Sequence, residues 1–406
     1  MVLAERRRGN QSISRIIVRQ TSAEWCGHVK AGSPLKLSVL DLVPVHTEQS
    51  SSDAIAASIA LAKRADDLGF ERYWVAEHHN MPAVAATNPP VLIGIIAANT
   101  DRIRVGSGGV MLPNHSPLVI AEQFAVLEAA FPARIDLGIG RAPGSDPVIT
   151  ALLRSSGATS DVDEFPKNVQ DIRMLLSPDG ATLRLGGGRG GDSGRDYAIK
   201  ATPLAAAASP IWLLGSSDYS ARLAASLGLP YVFAHHFSGE GTAQALALYR
   251  DGFTPSEDLA APRTFLTVNA VVADTAEEAR ALALPQLQQM ARLRSGLPLG
   301  PQVTVEEAAA ATADLPPALQ DLIDRMSERW IIDAPGPAAT RIRALAAQFG
   351  VDEVMISPGA GSSVPDDPRT APGRIRTLEL LAAELVTIRG NSVAGSAVDP
   401  NVHANE

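Results

Sequence analysis

Eight short apolar segments recur along the chain of 406 residues, and a helix-like stretch follows each of them. The segments span residues 35–43, 72–77, 103–112, 134–140, 210–216, 231–237, 264–272 and 352–358. Regular alternation of strands with helices is typical of α/β folds with a parallel sheet, and eight repeats favour a (β/α)8 TIM barrel with insertions. A doubly wound open sheet is the alternative, because local patterns do not show whether a sheet closes.

Unusual residues follow three successive segments. The first of the three runs into His78 and His79, the second into Gly108 and Gly109, and the third into Arg141. In a barrel of parallel strands the C-terminal ends meet at one face, which is where active sites form. We therefore expect these residues to share one pocket, and we expect an enzyme.

Composition argues against several classes of function. The net charge of −9, with no basic cluster in the body of the chain, disfavours binding to nucleic acid or to an anionic membrane. No uninterrupted apolar run reaches the length of about 18 residues that a membrane helix needs. Cys26 is the single cysteine, which excludes an intramolecular disulfide and a cysteine metal cluster. We expect a cytoplasmic protein.

Three regions are expected along the chain. Residues 1–34 are interpreted as a flexible basic tail, with an organelle-targeting peptide as the alternative, and residues 391–406 as a disordered tail. Residues 35–390 form one domain. Its main insertion, 295–337, lies between the seventh strand and the eighth and is typical of a lid or of a packed surface. The glycine-rich run 185–194 indicates a mobile surface loop.

Two familiar kinds of site are rejected on the residues present. The run 138–143 (GIGRAP) follows a strand, but Pro143 stands where a dinucleotide-binding fingerprint requires its third glycine. His78 and His79 are adjacent, and adjacent residues of a strand point to opposite faces, so no metal site is expected. A buried structural role remains an alternative for one of these two histidines.

Other residues indicate a flat, phosphorylated ligand. Gly108 and Gly109 stand where a central strand prefers branched residues, which favours a bulge or the close approach of a flat ligand. Arg141, at the inner end of a strand, is suited to a fixed anion. Ser216 and Ser217 precede a helix and suit a phosphate, although simple N-capping is an equal alternative.

Several motifs carry a resemblance to a known family. They are VLDLVPV, RYWVAEHHNMP, RVGSGGVMLPNHSPLVIAEQFAVLE, RIDLGIGRAPG, PIWLLGSSDYSARLAASLGLPYVFA and, near the end, DEVMISP. Together they resemble the bacterial-luciferase-like flavin monooxygenases, and more closely the single-chain branch of that family. The resemblance covers about residues 35–388.

The resemblance implies a (β/α)8 barrel that binds reduced FMN at the strand C-termini. It implies a non-proline cis peptide between Gly108 and Gly109 and a catalytic role for His78 at the reactive edge of the flavin. We expect Glu77, which precedes that histidine as in relatives, to be structural, and His79 to face the other way and act structurally. The resemblance further implies that four residues contact the phosphate or lie beside it: Arg141, Ser216, Ser217 and Ser220. Two others, Leu214 and Gly215, are implied to lie against the ring.

The resemblance also implies a function. We expect a two-component FMN-dependent monooxygenase, in which reduced FMN from a separate flavin reductase reacts with dioxygen and a C4a-hydroperoxyflavin oxygenates a small organic substrate. A homodimer is implied as well. Gly140 stands where the luciferases place a cysteine and Ser216 where they have a glutamate, which argues against light emission. The alternatives are an F420-dependent hydride-transfer oxidoreductase and a flavin-binding protein without turnover.

Overall fold

The computed structural model describes residues 35–142, 144, 147–155, 162–185, 195–237 and 239–386. The two predicted tails and residues 186–194 of the glycine-rich run lie outside the described residues. Two sheets are formed by twelve strands of the described chain: β1 Lys36–Asp41, β2 Arg72–Val75, β3 Arg104–Ser107, β4 Val110–Met111, β5 Ile135–Gly140, β6 Ala181–Leu185, β7 Arg195–Ile199, β8 Ile211–Gly215, β9 Tyr231–Phe233, β10 Leu266–Val272, β11 Ile331–Asp333 and β12 Glu353–Pro358.

The main sheet is curled and parallel. Its order is β11-β10-β12-β1-β2-β3-β5-β8-β9, and β4 also pairs with β5. A parallel bridge joins Tyr231 of β9 to Thr264, just before β10. β6 and β7 form a separate antiparallel hairpin, which the sequence analysis did not predict.

Helices connect most of the strands. They are α1 Ser51–Asp67, α2 Pro89–Ala97, α3 Pro117–Ala130, α4 Pro147–Arg154, α5 Phe165–Leu176, α6 Asp218–Leu227, α7 Thr242–Asp251, α8 Ala276–Arg294, α9 Val305–Ala311, α10 Pro317–Arg329, α11 Pro335–Phe349 and α12 Pro372–Leu385. Local chemistry sets their starts. The capping box of α1 pairs Ser50 with Asp53, and Pro117 begins α3 because its fixed φ suits a first turn. No described helix is both long and apolar enough to cross a membrane.

The segment 295–337 contains α9, α10 and β11. These elements pack on α8 through a second apolar cluster that includes Leu287, Ile323 and Trp330, all buried. β11 continues the sheet by pairing with β10. The additional strand was not predicted, since three residues are too short to give a periodic signal.

Aromatic side chains fill the interior of the curled sheet. The rings of Trp74, Trp212 and Phe265 lie 5.1–5.7 Å apart, in edge-on or tilted contacts, and are fully buried. They belong to a core cluster with Leu40 and Met355. Aromatic rings in such contacts prefer tilted arrangements over face-to-face stacking.

A buried ionic cluster lies next to these rings. Arg72 on β2 donates to both carboxylate oxygens of Glu353 on β12, at 2.6 and 3.0 Å, and to Asp136 on β5 at 2.7 Å. Its guanidinium also lies 5.0 Å from the ring centroid of Trp212. Arg104 on β3 and the indole of Trp74 donate to the same Asp136. Three strands that are far apart in sequence are therefore joined through one guanidinium.

Replacing Arg72 by methionine should destabilise the protein by about 3–5 kcal/mol, because Glu353 and Asp136 would remain buried with less compensating charge. Urea unfolding followed by circular dichroism measures this change. Arg280→Met, on the exposed side of α8, is the matched control and should stay within about 0.5 kcal/mol of the parent. A loss below about 1 kcal/mol for the Arg72 variant would contradict this account of the cluster.

Candidate functional site

The predicted site residues follow four neighbouring strands. His78 comes after β2, Gly108 after β3, Arg141 after β5 and Ser216 after β8. The strands lie side by side in that order, and their ends are close to register: Val75 opposes Ser107, and Gly140 opposes Leu214, the residue before the last of β8. The structure therefore brings these residues to one end of the sheet, as a site at the C-terminal strand ends requires.

The glycine pair has its own geometry. The Gly108–Gly109 peptide bond is cis. A Cβ on Gly109 would meet the side chain of Leu214 and would lie 2.8 Å from the carbonyl oxygen of Gly138, while one on Gly108 would lie 2.7 Å from Leu40. Side chains are excluded here by the protein's own packing. A branched residue at position 109 would first damage the sheet, so its effect on ligand binding would not be separable from its effect on folding.

An arginine and a helix N-terminus meet at one side of the site. The guanidinium carbon of Arg141 lies 4.1 Å from the ring centroid of Tyr219, in the first turn of α6. Ser217 occupies the N-cap position, but its side chain makes no capping hydrogen bond. Ser216 and Ser217 are both exposed. Simple N-capping therefore does not account for the serines, and the first-turn N–H groups are available to an anion.

Ser220 has a different place from the other serines. It is buried, and its hydroxyl donates to the carbonyl oxygen of Ser217 at 3.0 Å. A Cβ at position 215 would collide with Ser220. Because Gly215 has no side chain, α6 can approach the end of β8. Both residues shape the start of α6. Tyr219 was missed by the sequence analysis, because no periodic or motif signal places an aromatic ring against a distant arginine.

Glu77 is the centre of a hydrogen-bonded group beside the strand ends. Its side chain is fully buried, and Oε1 lies 2.8 Å from Nε2 of both His79 and His115. Oε2 accepts from the backbone N–H of Met111 at 3.0 Å. Burial alone would raise the pKa of Glu77, but the hydrogen bonds from His115, His79 and Met111 outweigh it and lower the pKa to about 2. Glu77 is therefore ionised, and its hydrogen bonds stabilise the turn that follows β2.

His78 is oriented differently from His79. Its backbone N–H donates to the carbonyl of Ala86 at 2.8 Å, and its Nδ1 is buried without a hydrogen-bond partner among the described residues. Burial lowers the pKa of His78, so the imidazole is neutral near pH 7. The side chain borders a cavity of about 60 Å³ that Met81 and Met290 also line. A buried ring nitrogen without a protein partner is suited to a ligand.

His236 is a second neutral histidine at the strand ends. Burial, and the nearby His235 and His78, lower its pKa to about 4. Its Nδ1 lies 2.8 Å from the hydroxyl of Thr267, and that hydroxyl donates to the carbonyl of Phe233 at 3.2 Å. Since the hydroxyl proton is used, Nδ1 of His236 is the donor, and Nε2 is left as an acceptor. The predicted strand 231–237 included His236, whereas β9 ends at Phe233 and His236 lies in the turn that follows.

Comparison with known proteins identifies the family. The model of the luciferase-like monooxygenase family matches residues 35–353. YvbT of Bacillus subtilis strain 168 is 40% identical over 321 residues, which cover 79% of this chain and 90% of YvbT. A luciferase-like monooxygenase of Escherichia coli K12 is 41% identical over 288 residues, covering 71% and 77%. The chain belongs to the luciferase-like monooxygenase family, as the sequence motifs indicated, and it is an enzyme.

Solved structures agree with this assignment. The crystal structure of apo-MsnO8 is 33% identical, covers 86% of this chain and 98% of its own, and superposes with a TM-score of 0.73. Two more distant structures show the fold alone. They are the oxygenating constituent of 3,6-diketocamphane monooxygenase in complex with FMN, 18% identical with a TM-score of 0.62, and an F420-dependent secondary alcohol dehydrogenase, 17% identical with a TM-score of 0.56.

Proposed function

We propose that the protein binds reduced FMN at the strand C-termini and uses it with dioxygen to oxygenate a small organic substrate. The observation that carries the proposal is the contact of Arg141 with the start of α6, which has no side-chain cap, one strand away from the cis Gly108–Gly109 peptide. A cation and free N–H groups suit a terminal phosphate. Bound reduced flavin supplies the electrons that activate dioxygen.

Each site residue has a proposed task. Arg141, Ser216 and Ser217 would hold the phosphate, and Ser220 would fix the helix start beside it. Gly108 and Gly109, with Leu214 and Gly215, would form the surface under the ring. The residues present fit this cofactor, because the cation, the helix start and the unpartnered ring nitrogen of His78 lie at one end of the sheet.

His78 is the proposed catalytic residue. Its imidazole is neutral near pH 7 and its Nδ1 has no protein partner, so it can hold or deliver a proton at the reactive edge of the site. Ionised Glu77 fixes the turn that carries it by binding His79, His115 and Met111. We therefore assign Glu77 and His79 to support.

Further parts of the proposal concern architecture and partners. The Tyr231–Thr264 bridge supports closure of eight of the parallel strands into a (β/α)8 barrel, with α9, α10 and β11 as an insertion before the last strand. We propose one domain over residues 35–390, a cytoplasmic location, and a separate flavin reductase as the source of reduced FMN.

A second candidate function is hydride transfer with the deazaflavin F420. The structural neighbour with an F420–acetone adduct favours it, since its fold is shared. Anaerobic oxidation of reduced F420 or reduction of F420 by a substrate, without oxygen uptake, would select this alternative. A flavin-binding protein without turnover would show FMN binding but no change in oxygen use with any substrate.

Arg141→Ala should remove the preference for FMN over riboflavin. A charge-assisted contact to the phosphate contributes roughly 1.5–3 kcal/mol, so the parent protein should bind reduced FMN at least about tenfold more tightly than reduced riboflavin. Anaerobic fluorescence titration measures both constants. Arg222→Ala, on the exposed side of α6, is the control and should keep the preference. Equal constants in the parent protein would overturn the phosphate assignment.

His78→Ala should keep FMN binding and lose product formation by roughly 100-fold, as expected when a proton donor is removed. An oxygen electrode, with peroxide and product yields for a panel of ketones, thioethers and alkenes, should show peroxide in place of product. His79→Ala is the matched control and should remain coupled, although its contact with Glu77 is lost. The opposite pattern in the two variants would assign the catalytic role to His79.

A homodimer is proposed from the resemblance and from exposed apolar side chains. Val91 on α2 and Leu118, Val119 and Val126 on α3 are 40–58% exposed. Light scattering at micromolar protein should give twice the chain mass, and Val119→Lys with Val126→Lys should shift the mass towards 42.5 kDa. A monomeric parent protein would contradict the proposal, and an unchanged dimer in the variant would place the interface elsewhere.

A further inference from the structure

A second cavity, of about 390 Å³, lies beside the strand ends. It is lined by His236 after β9, Asn269 on β10, and side chains of α8, α10 and α11, including Arg294, Arg329 and Arg341. The cavity therefore joins the sheet end that carries the proposed site to the elements of the segment 295–337. This volume lies near the lower end of the range that small-molecule pockets have.

Arg294, the last residue of α8, carries an incompletely compensated charge. Its Nε is buried without a hydrogen-bond partner, and its guanidinium donates to the carbonyl of Phe237 and lies 5.0 Å from that ring's centroid. No carboxylate of the described chain forms an ion pair with Arg294 within 4.0 Å. The side chain is only half-exposed, so water does not fully replace an anion there.

The cavity lining also contains two carboxylates, Glu240 and Glu328, and neither forms an ion pair with Arg294 within 4.0 Å. Glu240 lies 3.9 Å from Arg329, and its side chain is 89% exposed. Arg341 is used within the protein, because it donates to the backbone carbonyls of Trp330, Glu328 and Arg329. Burial and the positive charge of Arg329 lower the pKa of Arg294, and the charge of Glu240 opposes this effect without cancelling it. An anion placed next to Arg294 would favour its charged form further.

The lining near the strand ends is neutral, and Nε2 of His236 can accept a hydrogen bond there. His236 is uncharged near pH 7, and its Nδ1 is used by Thr267. Asn269 donates to the carbonyl of His236 at 2.6 Å, which fixes the loop. The charged part of the lining thus has three arginines against two carboxylates, whereas the part nearest the strand ends is neutral.

We propose that this cavity binds the organic substrate through a carboxylate that pairs with Arg294, so that the substrates of this enzyme are small carboxylic acids. The proposal rests on the proposed function, because the uncharged part of the acid would then extend past His236 to the strand ends. Asn269 and His236 would orient that part, with Nε2 of His236 as the acceptor.

Calorimetry on the full chain without flavin tests the proposal. Phenylacetate and its uncharged amide, phenylacetamide, are matched probes in shape. The parent protein should bind the acid at least about tenfold more tightly, since a charge-assisted hydrogen bond is lost in the amide. Arg294→Met should abolish that difference, and Arg294→Lys should restore part of it. Arg280→Met removes a charge from the same helix and should leave the difference unchanged.

Two results would overturn the proposal. One is equal binding of the acid and the amide by the parent protein, or a difference that persists in Arg294→Met while circular dichroism shows a folded variant. The other is a loss of affinity for reduced FMN in Arg294→Met, which would assign the cavity to the cofactor's phosphate. Failure of the proposed function is seen separately, as absence of FMN binding by the parent protein, because the carboxylate titration contains no flavin.

Discussion

Arg72 is the interaction on which the rest of the structure depends. It joins β2 to β5 and β12 through Asp136 and Glu353, and the aromatic rings of Trp74, Trp212 and Phe265 pack against it. A buried guanidinium whose three nitrogens all donate to carboxylates has few alternative arrangements. β2 and β5 lead to His78 and Arg141. The cluster holds the starts of these two strands in place, and the strands in turn position the site residues that follow their ends.

The site combines two electrostatic conditions. At the start of α6 a cation and unsatisfied N–H groups favour an anion, whereas burial keeps His78 and His236 neutral. Glu77 distinguishes the two adjacent histidines. Its carboxylate binds Nε2 of His79, whereas Nδ1 of His78 has no hydrogen-bond partner among the described residues. One buried carboxylate thereby decides which imidazole is available to a ligand.

Much of the fold and part of the site could be predicted from the sequence. Strand and helix alternation gave the parallel α/β sheet, Pro117 marked the start of α3, and the motif resemblance gave the family and the cis peptide. Contacts between distant residues were not predictable. Arg72 meets Glu353 across 281 positions, and the ring of Tyr219 meets Arg141 only after β5 and β8 are placed side by side.

Isotope labelling tests the central claim most directly. The protein, reduced FMN and ¹⁸O₂ would be mixed with candidate substrates in the absence of other oxidants, and products would be examined by mass spectrometry. The account predicts a product that carries one ¹⁸O atom, with oxygen use that depends on the protein. A product that is oxidised without ¹⁸O, formed equally well under anaerobic conditions with F420, would contradict it.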